Sequence, residues 1–463
     1  MPLFADPGTT PLRLTMLALV GLVGAVTMHY TARALAGAPY RRRALGWFAA
    51  TLAAALLVIS ADDLVVLALG WTATSLALHQ LLTLIPGRVP AEVGAHKKFM
   101  VSRVADVAIG AAILLIANTL GTTAVPELLA QTATMASLPW TLDLAAVLLV
   151  VAVVLRSAQL PVHGWLLHVM EAPTPVSALL HAGIINIGAF VVILLGGFIG
   201  KSVLAMSLLV LFGGVTAILA GLTMLTRANV KGALAWSTSA QMGFVLVECG
   251  IGAYPVALLH VVAHALYKAQ AFLASGQVRR PRVDAGPVRP TTRAWLVGTL
   301  AAVVVTGGMI ALTWGDALSQ RAVQVTAVLA VLSMVPLLAR AVMQRGWRAR
   351  RDAAAYALGL PLLYALWHTL AAPLVPATSV GTTPLALAAL VIAGFAGLLI
   401  VQGIVLTTPS SAFARALYPH ALQGFHLDDL LTRFTFRLWP PAPAVLRTST
   451  TVTSAARRAE RAA

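Results

Sequence analysis

Apolar runs of about 20 residues, the length that carries an α-helix across the roughly 30 Å hydrocarbon core of a bilayer, recur along this chain thirteen times. They fall in windows 14–32, 44–60, 64–85, 104–120, 144–160, 174–197, 202–225, 232–250, 255–275, 294–314, 322–339, 353–371 and 384–406. In lipid every backbone N–H and C=O must be paired within protein, so runs this long leave helices as the available solution. The expected fold is an all-α polytopic membrane protein with about 13 transmembrane helices over residues 1–406. The remaining sequence has a different character. Residues 407–440 alternate aromatic, aliphatic and charged side chains and are expected to form a cytoplasmic amphipathic segment able to dock a partner. Residues 441–463 are a basic, Thr/Ser/Ala-rich tail with the composition of disorder. No cleaved signal is expected, because residues 1–12 lack a basic n-region and the first apolar run is long enough to span.

The net charge of +17 is explained by where the basic residues fall. With thirteen spans, loops after odd-numbered helices share one side, and that side with the C-terminal tail holds 27 of the 32 Lys and Arg residues. The opposite side holds Arg13, Lys201 and Arg321. The positive-inside rule then places the N-terminus outside and the C-terminus in the cytoplasm. A nucleic-acid-binding function is excluded, since the basic residues are spread over separate loops with no folded domain to present them. A single cysteine, Cys249, rules out an internal disulfide and a Cys-based metal site.

Two basic residues, Arg156 and Lys268, fall inside spans. A charge at mid-membrane costs about 2.5–3.5 kcal/mol on insertion scales, so each should face the bundle interior with a partner or a hydrated path. His260, His264 and Lys268 recur every four residues and so line one stripe of a helix. Such a stripe can relay protons; the alternative is that the histidines bond backbone carbonyls and pack. Asp106, placed at the start of its span, either pairs with a relay cation or holds the nearby Arg103. Glu248 and Cys249, at the end of their span, read as solvated interfacial residues. In "LRSAQLPVHGWLLHVMEAPTPVSALLHAGI", Pro161 removes a backbone donor and should break the helix just after Arg156 to Leu160. That break brings Arg156 and His181 toward one interior region with Glu171 as an anchor, in a proton path or in a re-entrant turn closed by a salt bridge.

The segments "SAQLPVHGWLLHVMEAPTPVSALLHAG", "ANVKGALAWSTSAQMGF" and "HVVAHALYKAQAFLASG" resemble, in order and spacing, the proton-translocating core of complex I and Mrp-type antiporter-like membrane subunits. The resemblance implies two inverted five-helix repeats, each with a broken helix. It gives Lys268 the place of the central relay lysine, His260 and His264 those of its neighbours, and Lys231 that of the connecting lysine. Two positions depart from that pattern. The family's lysine in the first broken helix is Arg156, which holds its proton at any accessible pH. The glutamate of the family's "GWE" motif is replaced by Thr72 in "LALGWTATS". The chain is also short against the longer homologues, which argues against a full complex I subunit.

One branch fits these departures. "MEAPTPVSALLHAGIIN" with Asn186, and "LYPHALQGFHLDDLLTRFTFRLWP", resemble the DabB-type membrane subunits of inorganic carbon accumulation complexes. That resemblance implies a bacterial plasma membrane protein in which a cation gradient, protons, energises CO2 hydration to bicarbonate. The hydration itself would belong to a large soluble DabA-like zinc protein similar to β-carbonic anhydrase, with no cofactor or metal held by this chain. Arg156, Glu171 and Asp106 would set charge around a relay of His181, Lys231, His260, His264 and Lys268. Tyr418, His420, Phe425, Asp428, Asp429 and Trp439 would form the docking surface. Two alternatives stand beside it: an Mrp-like or hydrogenase-linked cation/proton antiporter subunit, and a membrane anchor that only recruits a soluble enzyme.

Overall fold

The computed structural model describes residues 10–85, 88–277, 290–343, 346–376 and 383–440. The tail 441–463 and the arginines at 279, 280, 282, 289 and 345 lie outside the described residues, as does the side chain of Glu171. The described residues are helical, in the order α1 (Thr10–Ala34), α2 (Arg41–Ser60), α3 (Leu64–Leu82), α4 (Val89–Leu120), α5 (Val125–Ala133), α6 (Trp140–Arg156), α7 (Gly164–His168), α8 (Thr174–Ala182), α9 (Ile187–Leu194) and α10 (Gly196–Ile199). There follow α11 (Val203–Met224), α12 (Val230–Gly250), α13 (Tyr254–Ala274), α14 (Thr292–Ala301), α15 (Gly308–Thr313), α16 (Arg321–Met343), α17 (Trp347–Ala371), α18 (Leu385–Thr407), α19 (Ala412–Leu422) and α20 (Asp429–Leu438). Eleven segments among the described residues are long and apolar enough to cross a membrane. The windows 144–160 and 232–250 correspond to α6, which has only 17 residues, and to the more polar α12; neither is among those eleven.

The innermost span is formed by α8 and α9, wholly buried between α1, α6, α12 and α13. Around it lies the main apolar core, built from α1–α4, α6, α8, α9 and α11–α13. A smaller cluster packs α14, α16 and α17 together. The tightest seam joins α11 to α12, where Gly213 and Gly243 face each other across the crossing. A Cβ on either would lie 2.5 Å from the other's carbonyl oxygen, so small residues set how closely these helices approach.

Besides the 3-10 turn over Ile184–Asn186 that joins α8 to α9, two more spans are interrupted among the described residues. At the first, α6 stops at Arg156, Ala158 takes a positive φ of 51° and Leu160–Pro161 is cis. A break inside the bundle exposes backbone groups that protein must satisfy. Here the Thr216 hydroxyl of α11 accepts from the Leu160 amide at 3.0 Å, and the Gln159 side-chain amide donates to the Ser157 carbonyl at 2.7 Å. At the second, a π-helical turn over Ala302–Gly307 joins α14 to α15.

Two readings of the sequence are corrected here. The window 104–120 captures only the apolar part of α4, which runs 32 residues from Val89. Lys97 and Lys98 belong to that helix and are buried, not solvated in a loop, because other helices and the C-terminal segment cover its first turns. Asp106 therefore sits in the middle of α4. Glu248 and Cys249 are likewise buried, at 3% and 0% exposure, because the turn after α12 folds α13 back over them.

Candidate functional site

A first polar cluster forms where α3, α4 and α6 meet. Arg156, the last residue of α6, donates to the Trp71 carbonyl at 2.6 Å, stands over the Trp71 ring and pairs with the Asp106 carboxylate. The same carboxylate accepts from the Thr72 hydroxyl at 2.9 Å and pairs with Arg103 at 2.8 Å. Asp106 thus holds Arg103, one of its two expected partners, and its second cation is Arg156 in place of a relay residue. Lys98, one and a half turns before Arg103, donates to the Ser75 hydroxyl and carbonyl at 3.1 and 3.3 Å. Lys98 and Arg156 line one small cavity of about 30 Å³, space for a water molecule or two. Nothing in its sequence neighbourhood marked Lys98 as interior; a helix-periodic reading of 89–103 would have been the available signal.

The second cluster is the stripe on α13. Lys268 is fully buried and donates to the Leu234 carbonyl of α12 at 3.2 Å; His264 is 2% exposed. His260 is half-buried and lies 3.1 Å from the Glu248 carboxylate through Nδ1. His181 of α8 stacks on Phe272, one turn beyond Lys268, with ring centroids 4.4 Å apart. Its neighbours Leu180 and Ile184 line the cavity shared by Lys98 and Arg156. The innermost span therefore stands between the two clusters. His181 and Arg156 make no direct contact among the bonds and ion pairs of the described residues. Lys231, at the start of α12, donates to the Thr174 hydroxyl at the start of α8, at 2.8 Å.

Both ring nitrogens of His181 and His264 are buried and lack a protein hydrogen-bond partner among the described residues. Buried polar groups are paired, with water where protein supplies nothing. Imidazoles left this way beside a buried lysine make a line of groups that water can join and protons can follow.

The segment after α18 is tied to its own chain. Lys97 donates to Asp428 and to the Thr432 hydroxyl, each at 2.6 Å, and Trp439 stacks on His96 with centroids 3.8 Å apart. Arg227 donates to the Leu422 carbonyl at 2.8 Å, and Gly424, at φ 63°, packs against the Trp236 ring. Of the six residues expected to face a partner, Asp428 and Trp439 are thus engaged internally. Phe425 is half-buried, while Tyr418, His420 and Asp429 remain exposed. The outward face of α20 shows Leu430, Phe434 and Leu438, an apolar stripe missed among the docking residues.

Residues 61–313 match the family described as "NADH:quinone oxidoreductase/Mrp antiporter, TM". The chain is 41% identical over 309 residues to the "Probable inorganic carbon transporter subunit DabB" of Hydrogenovibrio crunogenus, a match covering 65% of this chain and 59% of that protein. It is 35% identical over 443 residues to the "Probable inorganic carbon transporter subunit DabB2" of Halothiobacillus neapolitanus, covering 93% of this chain and 80% of that one. Among solved structures, the Mrp complex from a Dietzia species shares the fold at a TM-score of 0.58 and 23% identity, over 98% of this chain and 52% of that chain. The match to the family over more than half of the chain, together with a relative covered for four fifths of its length, shows that this multi-pass membrane protein belongs to the DabB-type subunits within the complex I/Mrp antiporter-like superfamily.

Proposed function

We propose that the chain is the proton-conducting, energy-coupling membrane subunit of an inorganic carbon uptake complex. A soluble, zinc-bearing DabA-like partner would hydrate CO2 to bicarbonate on the cytoplasmic face of a bacterial plasma membrane. The observation that carries this reading is the Lys268–His264–His260 stripe on α13, buried at Lys268 and His264, with His181 beside it and ring nitrogens of His181 and His264 that have no protein partner among the described residues. An anchor that only recruits an enzyme has no use for such a stripe, which is costly to bury. Proton coupling is favoured over sodium because the stripe offers amine and imidazole nitrogens, whereas sodium takes oxygen ligands.

In this reading Lys268, His264 and His260 exchange mobile protons, and His181 with Lys231 connects the stripe toward the start of α12. Arg156 stays charged and is neutralised by Asp106, so it acts as a fixed charge whose field is felt through α8. The C-terminal segment reports to the partner: its inner face grips α4 through Lys97 and Asp428, and its exposed face carries Tyr418, His420 and the Leu430–Phe434–Leu438 stripe.

The test has two parts. Affinity purification from detergent-solubilised membranes, with mass spectrometry and zinc analysis, should recover one large zinc-bearing soluble protein. A set of small membrane subunits without zinc would instead make the chain part of a cation/proton antiporter. Lys268→Ala should abolish growth at low CO2 with the complex still assembled; retained growth would remove Lys268 from the mechanism.

A further inference from the structure

We infer that Glu248 and His260 form the port through which the α13 relay meets water at the α12–α13 turn, with Tyr364, Thr326 and His368 completing the path. This rests on the relay proposed above and extends it from His260 to Glu248, Tyr364, Thr326 and His368, to which the resemblance assigns no role. Glu248 is the one carboxylate among the described residues that is more than nine-tenths buried, and an ionisable group held at membrane depth is a functional candidate by default. Its partner across a 3.1 Å contact is the first residue of the stripe, His260, which lies two turns, about 12 Å, from Lys268 along α13. Beyond Lys268 the buried polar residues of the described chain are Thr306, Thr326, Thr383 and Thr435, none of them charged. Near the α12–α13 turn the other buried titratable side chains are the Cys249 thiol and the Tyr254 hydroxyl, and neither lines the chamber that Glu248 and His260 face.

The pair opens on a chamber of about 310 Å³ between α12, α13, α16 and α17. Its walls are mostly apolar, but Glu248, His260, Thr326, Ser333 and Tyr364 line it, enough polar groups to hold several waters in a space that size. The Thr326 and Tyr364 hydroxyls lie 3.4 Å apart, and the Tyr364 ring stacks on His368 with centroids 6.0 Å apart. His368 is half-buried in the last turn of α17, which ends at Ala371. A proton entering by this route binds Oε2 of Glu248 and crosses to Nδ1 of His260. Release of the Nε2 proton passes charge toward His264, and a return of the Nδ1 proton to Nε2 resets the ring. The sum is one proton moved, with no bond left changed.

The competing account is that the pair merely ties α12 to α13. Proton flux after a pH jump, read by a trapped dye in proteoliposomes of the full chain with its copurifying subunits, separates the two. Glu248→Gln keeps size and hydrogen bonding but cannot exchange a proton, and should lower flux about a hundredfold, as Lys268→Ala should, while Glu248→Asp should retain flux. If Lys268→Ala is blocked and Glu248→Gln conducts normally, the port is wrong and the relay stands. If both conduct, the relay itself is wrong. Should Glu248→Gln fail to assemble, His260→Gln serves the same comparison. Independently, Ser333→Cys in a Cys249→Ala background should react with a membrane-impermeant thiol reagent from the side of the α12–α13 turn; complete protection would overturn the chamber's link to water.

Discussion

Asp106 on α4 and Arg156 on α6 form an ion pair that α3 completes, with the Thr72 hydroxyl on the carboxylate and the Trp71 carbonyl under the guanidinium. The antiporter-like pattern places a glutamate directly after this tryptophan. Here a hydroxyl occupies that position, and the neighbouring helix supplies the carboxylate.

Asp106→Asn should therefore leave Arg156 buried without its counter-charge, at a cost on the order of 3 kcal/mol, the range for breaking a buried pair. A fall in the thermal midpoint of the detergent-solubilised protein checks this. Adding Thr72→Glu to Asp106→Asn returns a carboxylate to the family's position and should recover most of the loss. No recovery would mean that α3 cannot present a charge to Arg156.

Arg156 serves two acceptors on two helices, which suits a planar fork and not a point charge. Arg156→Lys keeps the positive charge and should retain the ion pair while giving up the Trp71 bond, with flux within about a factor of ten of the parent and a stability loss of about 1 kcal/mol. Arg156→Gln removes the charge and should block flux. Equal flux in both variants would show that the charge at this position does not act on the relay.

The apolar spans, eleven among the described residues, were legible because hydrocarbon thickness quantises helix length, and the α13 stripe because four-residue spacing survives in any helix. What misled was the assumption that charge marks a loop. Lys97 and Lys98 lie within α4, and only the docking of α20 and the polar edge of α3 make their burial tolerable. Glu248, near the end of α12, read as interfacial because nothing local shows that α13 returns over it. Asp106 left a relay cation and Arg103 open in the sequence; it holds Arg103 and, across to α6, Arg156, a partner that only the packing of α4 against α6 reveals.

Lys97 is fully buried and its ammonium donates to Asp428, the residue before α20, and to Thr432 in its first turn. Asp428→Asn should loosen that segment, since a buried charge-assisted hydrogen bond contributes about 1.5–3 kcal/mol. Faster amide hydrogen exchange across α19 and α20, with α13 unchanged, is the expected readout. The double variant Lys97→Met, Asp428→Leu removes both charges and should exchange more slowly than Asp428→Asn, because no buried ammonium is left alone.

Gly213 and Gly243 allow a closer prediction, because two opposing effects act at one position. Replacing a mid-helix glycine by alanine favours the helix by about 1 kcal/mol. At Gly243 the new Cβ would lie 2.5 Å from the Gly213 carbonyl oxygen and 2.8 Å from the Ala217 amide nitrogen, both backbone atoms that a rotamer change cannot move. The helices must separate, and overpacking of this kind costs about 1–3 kcal/mol, so Gly243→Ala should lower the thermal midpoint. Gly110, in the middle of α4, has open space for 4 Å around the point where a Cβ would stand, and Gly110→Ala should leave the midpoint level or raise it. If both variants shift together, helix propensity and not the α11–α12 approach governs stability at this seam. Because Lys268 donates its hydrogen bond to Leu234 of α12, Gly243→Ala should also reduce proton flux, while Gly110→Ala should not.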